Sequence, residues 1–206
     1  EIGKNVPVDV PLVGDAKALL PRLAAALRPR RRDEWKAEIH AQKRERSSDH
    51  CRGGLSPETI LQTLHDSTGG RVNVVVDVGQ HQMWVAKLFP YRRPNQHFSS
   101  GGLGSMGFAV PAAMGVWLAR PDEPVWAISG DGGFQMNLQE IATMQQEPLP
   151  VKLAIFNNGY LGMVRQWQEM FYDRAYSEVD LSISPDFVKL AEAYGALGLR
   201  AEKPSE

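Results

Sequence analysis

Cysteine is almost missing: Cys51 is the only one in 206 residues. One thiol rules out a disulfide framework and a cysteine-based zinc site. Asp49, His50 and Arg52 surround it, yet no base is placed to activate it, so it reads as a spectator. Excess charge is missing too. The formal net charge is −1, which gives no global electrostatic argument for nucleic acid. No apolar run approaches the length of a membrane span. The opening residues are charged and mixed, so no signal peptide is expected, and a start without Met suggests a fragment or a trimmed chain. What remains is ordinary for a soluble globular protein, with 43% hydrophobic and 23% charged residues, and the length fits one domain with an appended segment.

The most informative stretch runs from 130 to 158. It reads Gly130-Asp131-Gly132, then 24 residues, then Asn157-Asn158. The apolar run Val125-Trp126-Ala127-Ile128 ahead of it reads as a buried strand. Asp131 then lies at the C-terminal end of that strand, where open α/β sheets bind ligands. Phe134, Leu138, Ile141 and Met144 fall at helical spacing, and a second apolar run, Val151 to Phe156, delivers the two asparagines. Parallel neighbouring strands would bring Asp131 and Asn158 to one edge. Both are hard oxygen donors, suited to Mg²⁺ rather than zinc, and the N-terminus of the intervening helix offers N–H groups to phosphate. A lone Gly-Asp-Gly would be only a turn; paired with the downstream asparagines it reads as a magnesium-diphosphate site.

Elsewhere the chain punctuates itself clearly. Val6, Val8 and Val10 alternate with Pro7 and Asp9 in an expected edge strand over 1–14. Asp15 is set to cap a helix to about Leu27, with Leu19, Leu20, Leu23 and Leu27 on its apolar face and Pro21 bending it. Residues 28–52 are basic, but Asp33, Glu34, Glu38 and Glu45 interleave. A solvated linking helix is expected, with Arg30–Glu34 and Asp33–Lys36 pairs and Trp35 and Ile39 as anchors. Ser56-Pro57 opens a helix with Ile60, Leu61 and Leu64 inward. Val72 to Val76 reads as a central strand. It ends in Asp77-Val78-Gly79-Gln80-His81, where Gln80 and His81 can reach phosphate oxygens; spacing alone favours His81 as packing for the next helix, beside core residues Met83, Trp84 and Leu88. The glycine-dense loop 99–107 precedes a small-residue helix from Phe108 to about Leu118. A helix following Gly162 carries Met163, Val164, Trp167 and Phe171, with Val164 and Phe171 read as core. A polar loop covers 173–184, and Ser184-Pro185-Asp186 starts a last helix with Phe187, Leu190, Ala191 and Tyr194 inward. The expected fold is α/β, a mostly parallel sheet with helices on both faces.

Three segments, Asp-Val-Gly-Gln-His-Gln-Met-Trp at 77–84, SGGLGSMGFAVPAAMG at 100–115 and NNGYLGMVRQW at 157–167, resemble the acetohydroxyacid synthase (acetolactate synthase) catalytic subunit. Gly-Asp-Gly followed by Asn-Asn is similar to the thiamine diphosphate motif. The resemblance implies that residues 1–52 are the end of a middle domain with basic linking helices, and that 53–206 are the C-terminal thiamine diphosphate and Mg²⁺ domain, truncated at its end. It implies metal ligation by Asp131, Asn158 and the carbonyl of Tyr160. Cofactor contacts would come from Gly79, Gln80, His81, Gly104, Met106, Gly132, Gly133, Gly162 and Met163. The resemblance also overrides the packing reading of His81. Met106 matches the residue that holds the cofactor bent, which makes proton removal from its reactive carbon intramolecular. Trp167 matches the tryptophan that shapes the acceptor pocket, a contact worth about 1–3 kcal/mol at most.

The implied activity joins pyruvate to a second 2-ketoacid with loss of CO₂, giving 2-acetolactate or 2-aceto-2-hydroxybutyrate for branched-chain amino acids. The implied setting is a homodimer or tetramer of longer chains, with FAD mostly outside this segment and a possible regulatory subunit. No nucleic acid or membrane partner is expected, and the location would be cytoplasmic in a bacterium, organellar in a plant or fungus. The family's activating glutamate belongs to a partner subunit's N-terminal domain, and nothing here matches it. Another thiamine enzyme, such as a benzoylformate decarboxylase or glyoxylate carboligase, or a non-catalytic cofactor-binding fragment, are the rival readings.

Overall fold

The computed structural model describes residues 2–48 and 54–206; Cys51 and its neighbours lie outside them. Two compact units divide the chain, Glu1–Ser48 and Asp49–Glu206.

The first unit holds α1 (Ala16–Ala26) and α2 (Asp33–Ser48). Asp15 caps α1, its carboxylate accepting from the Lys17 N–H at 2.8 Å. Pro21 sits inside α1 and the helix runs on past it. The edge strand expected over 1–14 does not form; these residues are turns and bends with no strand pairing. Pro7 and Pro11 remove ladder donors, and the alternating valines are all exposed. Arg30 precedes α2, so it has no helical i,i+4 relation to Glu34. Trp35, expected as an anchor, is 57% exposed, while Ile39 is half-buried.

The second unit is built on a four-stranded, all-parallel sheet. Its elements are α3 (Pro57–Ser67), β1 (Asn73–Val76), α4 (Gln80–Leu88), β2 (His97–Ser99), α5 (Ala109–Ala119), β3 (Val125–Gly130), α6 (Asp131–Met136), α7 (Glu140–Gln146), β4 (Lys152–Phe156), α8 (Gly162–Phe171) and α9 (Phe187–Ala193). The strand order is β2-β1-β3-β4, with Val76 opposite Ile128 and Gly130 opposite Phe156. Side-chain alternation sorts the two faces. Val74, Val76 and Ile128 pack with Leu61 and Leu64 of α3 and Val85 of α4. Val75, Val125 and Ala127 face the opposite way, onto Ala109 and Ala113 of α5. A third cluster joins Val110 to Phe134, Ile141 and Met144, with Phe187, Leu190 and Tyr194 of the last helix packed against it. Helices therefore cover both faces, as expected for an α/β sheet with central, fully buried β1.

Three expectations about elements need correction. The single helix expected through Phe134 and Met144 is two, α6 and α7. Asn137 leaves the helix and its amide donates to the Gly107 carbonyl at 2.8 Å, an alternative partner of the kind that ends helices. Val164 and Phe171 are not core: α8 has no buried residue and Phe171 is 66% exposed. Met83 is likewise exposed, whereas Trp84 and Leu88 pack against the core. Periodicity identifies an apolar helix face without saying what covers it.

Candidate functional site

β1, β3 and β4 end at the same edge of the sheet; β1 and β4 feed short turns rich in glycine or polar residues, and β3 feeds the glycine-rich start of α6 directly. This is where a parallel sheet offers converging backbone groups to a ligand. A cavity of about 180 Å³ opens there. Its lining includes Gly79, Gln80, His81, Gly104, Met106, Asp131, Gly132, Gly133, Asn158, Tyr160, Gly162 and Met163. Of the site residues expected from sequence, only Trp167 is not in the lining; it is 58% exposed and stacks edge-on with Phe171 at 6.2 Å.

Asp131 begins α6 directly after β3. Its two oxygens accept from the Gly132 N–H at 2.9 Å and the Gly159 N–H at 2.7 Å, which ties the ends of β3 and β4 together. Burial raises its pKa above 3.8, with those backbone N–H groups opposing the rise. The Asn158 side-chain oxygen accepts from the Tyr160 N–H at 3.0 Å. Among the described residues, no three His, Cys, Asp or Glu side chains form a metal-binding cluster. A cation at this edge would therefore draw on a carboxyl, a carboxamide and main-chain carbonyls, an oxygen set that fits Mg²⁺.

His81 stands on the first turn of α4. It is buried, and its Nε2 has no hydrogen-bond partner. Desolvation lowers its pKa from 6.5 to about 4, with the Asp77 charge and backbone opposing, so it is neutral at pH 7. A buried polar atom without a partner calls for one, and this atom belongs to a cavity-lining residue. Gly79 has φ +153°, and a Cβ there would come within 2.8 Å of the His81 ring, so a side chain at 79 would collide with the imidazole. Gly162 is equally constrained: an added Cβ would overlap the Gln80 side chain and approach Asn158 Nδ2 to 3.0 Å. Gln80 is in turn held by Gln166 of α8, at 2.9 Å.

Several contributors escaped the sequence reading. Asp77 is fully buried, and its carboxyl gathers the N–H of Gly107 at 2.9 Å, the N–H of Ala109 at 3.4 Å and the Ser129 hydroxyl at 3.0 Å. It thereby pins the glycine-dense loop and α5 to the sheet edge. An aspartate directly after four buried residues of β1 was the available signal. Val78, Trp84, Phe156 and Leu161 supply an apolar wall, and Leu161 and Leu181 bracket Gly132, whose added Cβ would lie 2.8 and 3.0 Å from them. The cavity thus joins oxygen donors and backbone amides on one side to a carbon-rich wall on the other.

Comparison with known proteins places this edge in context. The family described as thiamine pyrophosphate enzyme, C-terminal TPP binding domain, matches residues 77–206. All of the chain aligns with acetolactate synthase of Mycobacterium bovis at 47% identity, over 35% of that protein. It aligns with the acetolactate synthase isozyme 3 large subunit of Escherichia coli at 41% identity, over 37% of it. The acetolactate synthase large subunit of Corynebacterium glutamicum is 42% identical, again over the whole chain and 35% of the relative. The chain thus spans little more than a third of the length of these curated relatives.

Proposed function

The chain belongs to the thiamine pyrophosphate enzymes through their C-terminal TPP binding domain, and from this premise we propose that it is the cofactor-binding part of an acetohydroxyacid synthase catalytic subunit. The observation that carries the reading is the convergence of Asp131, Asn158, Tyr160 and His81 with six backbone-exposing glycines on one cavity. The donor set and the unpartnered His81 Nε2 fit a Mg²⁺–diphosphate group. The volume of about 180 Å³ is below the roughly 300–1,000 Å³ of a pocket for a drug-sized ligand, so this edge receives one end of the cofactor.

In this reading Asp131, Asn158 and the Tyr160 carbonyl hold Mg²⁺. Gly79, Gln80, His81, Gly104, Gly132, Gly133, Gly162 and Met163 contact the diphosphate and its surroundings. Thiamine diphosphate, when bound, supplies the carbanion chemistry that releases CO₂ from a 2-ketoacid and joins the remainder to a second one. The chain's contributions are to bind, orient and exclude water. Met106 and the apolar wall hold the cofactor in its reactive shape and disfavour charge separation around it. Trp167 serves the acceptor side once other elements enclose it. The wider setting follows the same reading: pyruvate and 2-ketobutyrate as substrates, a role in branched-chain amino acid biosynthesis, FAD held mostly outside this segment, dimeric or larger assembly of longer chains, a regulatory subunit, and a cytoplasmic location in a bacterium.

The activating glutamate has no counterpart here, so this chain by itself forms almost no 2-acetolactate from pyruvate. A chimera in which it replaces the matching segment of the Escherichia coli isozyme 3 large subunit tests the activity. Acetolactate formation that Asp131→Ala abolishes is expected. A chimera that binds thiamine diphosphate yet yields none overturns the carboligase reading.

A further inference from the structure

A carbonyl ligand leaves its own side chain free for other work, and the Tyr160 ring is engaged elsewhere. The Arg165 guanidinium lies 4.3 Å from the Tyr160 ring centroid and 4.9 Å from that of Tyr176, both inside the range of a cation–π contact. Arg165 stands one turn into α8; Tyr176 belongs to the 173–184 segment. That segment folds back over the loop after β4. Tyr160 and Asp180 form an antiparallel bridge. The Leu161 N–H donates to Val179 O at 2.9 Å, and the Leu181 N–H donates to Gly159 O at 2.8 Å. Gln168 of α8 donates to Ser177 O at 3.0 Å and accepts from its N–H at 3.3 Å. Val179 is buried, and Leu181 reaches the would-be Cβ of Gly132. Asp180 is held below the usual carboxylate range first by its hydrogen bonds to Ser182 and then by the Arg165 charge. Arg165 thus sits where α8, the 173–184 segment and the 159–161 loop meet.

We propose that Arg165 is a positioning residue for the cation site: clamped between Tyr160 and Tyr176, it holds the 173–184 segment against residues 159–161 and so fixes the Tyr160 carbonyl. The proposal rests on the reading of that carbonyl as a Mg²⁺ ligand. Arg165 itself touches neither cation nor cofactor. Its loss acts on Mg²⁺ affinity through the geometry of one ligand, while the diphosphate contacts of Gln80, His81 and Gly162 stay in place.

Two measurements on the 206-residue chain separate the proposal from its premise. The first is amide hydrogen exchange in the parent, Arg165→Met, Arg165→Lys and Tyr176→Leu chains. Arg165→Met and Tyr176→Leu are expected to speed exchange at Leu161 and Leu181 by about three- to tenfold, the range of one cation–π contact. The β1 and β3 amides should be unaffected, and Arg165→Lys should restore part of the protection. Unchanged exchange at Leu161 and Leu181 in Arg165→Met overturns the clamp. The second is the Mg²⁺ concentration for half-maximal thiamine diphosphate binding. It should rise by a similar factor in Arg165→Met, with affinity at saturating Mg²⁺ unchanged. An unchanged Mg²⁺ requirement beside a Mg²⁺-dependent parent overturns the positioning role. A parent whose binding ignores Mg²⁺ overturns the cation-site reading instead, leaving the clamp to be decided by exchange.

Discussion

Replacing Asp77 should be costly for this domain, because its carboxyl accepts from Val78, Gly107, Ala109 and Ser129 and so ties separate elements together. Gly107 N–H, Ala109 N–H and the Ser129 hydroxyl converge on it at 2.9, 3.4 and 3.0 Å, all in buried surroundings. In Asp77→Ala these donors lose their acceptor together. An orphaned buried donor costs about 1–3 kcal/mol. Discounting the long contact to Ala109, and letting Ser129 turn to the Gly130 carbonyl it already reaches at 3.1 Å, leaves the N–H groups of Gly107 and Val78, the latter 2.7 Å from the carboxyl, at about 2–4 kcal/mol together. Asp77→Asn keeps a carbonyl for Gly107 and offers its amide to the Ser129 oxygen, so only Ala109 is mismatched and the loss is about 1–2 kcal/mol. For a domain of this size the alanine change corresponds to a drop of roughly 10 °C in Tm. Thermal unfolding followed by circular dichroism reads both. Asp77→Ala within about 1 kcal/mol of the parent, or Asp77→Asn as costly as alanine, would refute the reasoning. If the alanine chain does not fold, the asparagine chain still carries the test.

Two further outcomes follow from the same geometry. His81 has a folded pKa of about 4 against 6.5, so the unfolded chain binds the extra proton between those values. The stability it confers is complete above pH 6.5 and is lost as pH falls toward 4, by about 3 kcal/mol at 1.36 kcal/mol per pH unit. His97, also lowered by burial, adds with the same sign; Asp131, raised by burial, offsets part of the loss at the acid end. Urea titrations of the parent and His81→Gln from pH 7 to pH 4.5 should show the slope shrinking in the variant, and equal slopes would contradict the assignment. Gly132→Ala would press its methyl on the ends of Leu161 and Leu181 at 2.8 and 3.0 Å. Those ends can swing, and alanine favours the helix, so stability should change by less than about 1 kcal/mol. Thiamine diphosphate affinity should fall at least about tenfold, and calorimetry that finds it unchanged rejects the placement of Gly132 against the cofactor.

The sheet was legible in the sequence for a simple reason. β1, β3 and β4 are short apolar runs, β1 fully and β3 mostly buried and β4 half-buried, and glycine or asparagine follows closely at each C-terminal end. Gly79, Gln80, His81, Asp131, Gly132, Gly133 and Asn158 sit within a few positions of those ends, whereas Gly104 and Met106 lie in the loop after β2 and were named through the family resemblance alone. What stayed hidden depends on distant partners. Asp77 meets Gly107 and Ser129 across 30 and 52 residues. The break at Asn137 exists because its amide finds Gly107, which helical spacing cannot anticipate. β2 is three half-buried residues, His97–Ser99, at the sheet's edge, too short for a periodic signal. The alternating valines before α1 and the apolar stripe of α8 had the right spacing for buried elements. Neither is buried, because spacing describes a face and not its neighbour. Trp167 lies on the same helix and is 58% exposed.

The most direct test of the account is calorimetric titration of this chain with thiamine diphosphate, with and without Mg²⁺, beside Asp131→Ala. Binding that requires Mg²⁺ and disappears in Asp131→Ala is the predicted result, since Asp131 joins the ends of β3 and β4 at the proposed cation site. Binding of equal strength without Mg²⁺, or unaltered by Asp131→Ala, would contradict it.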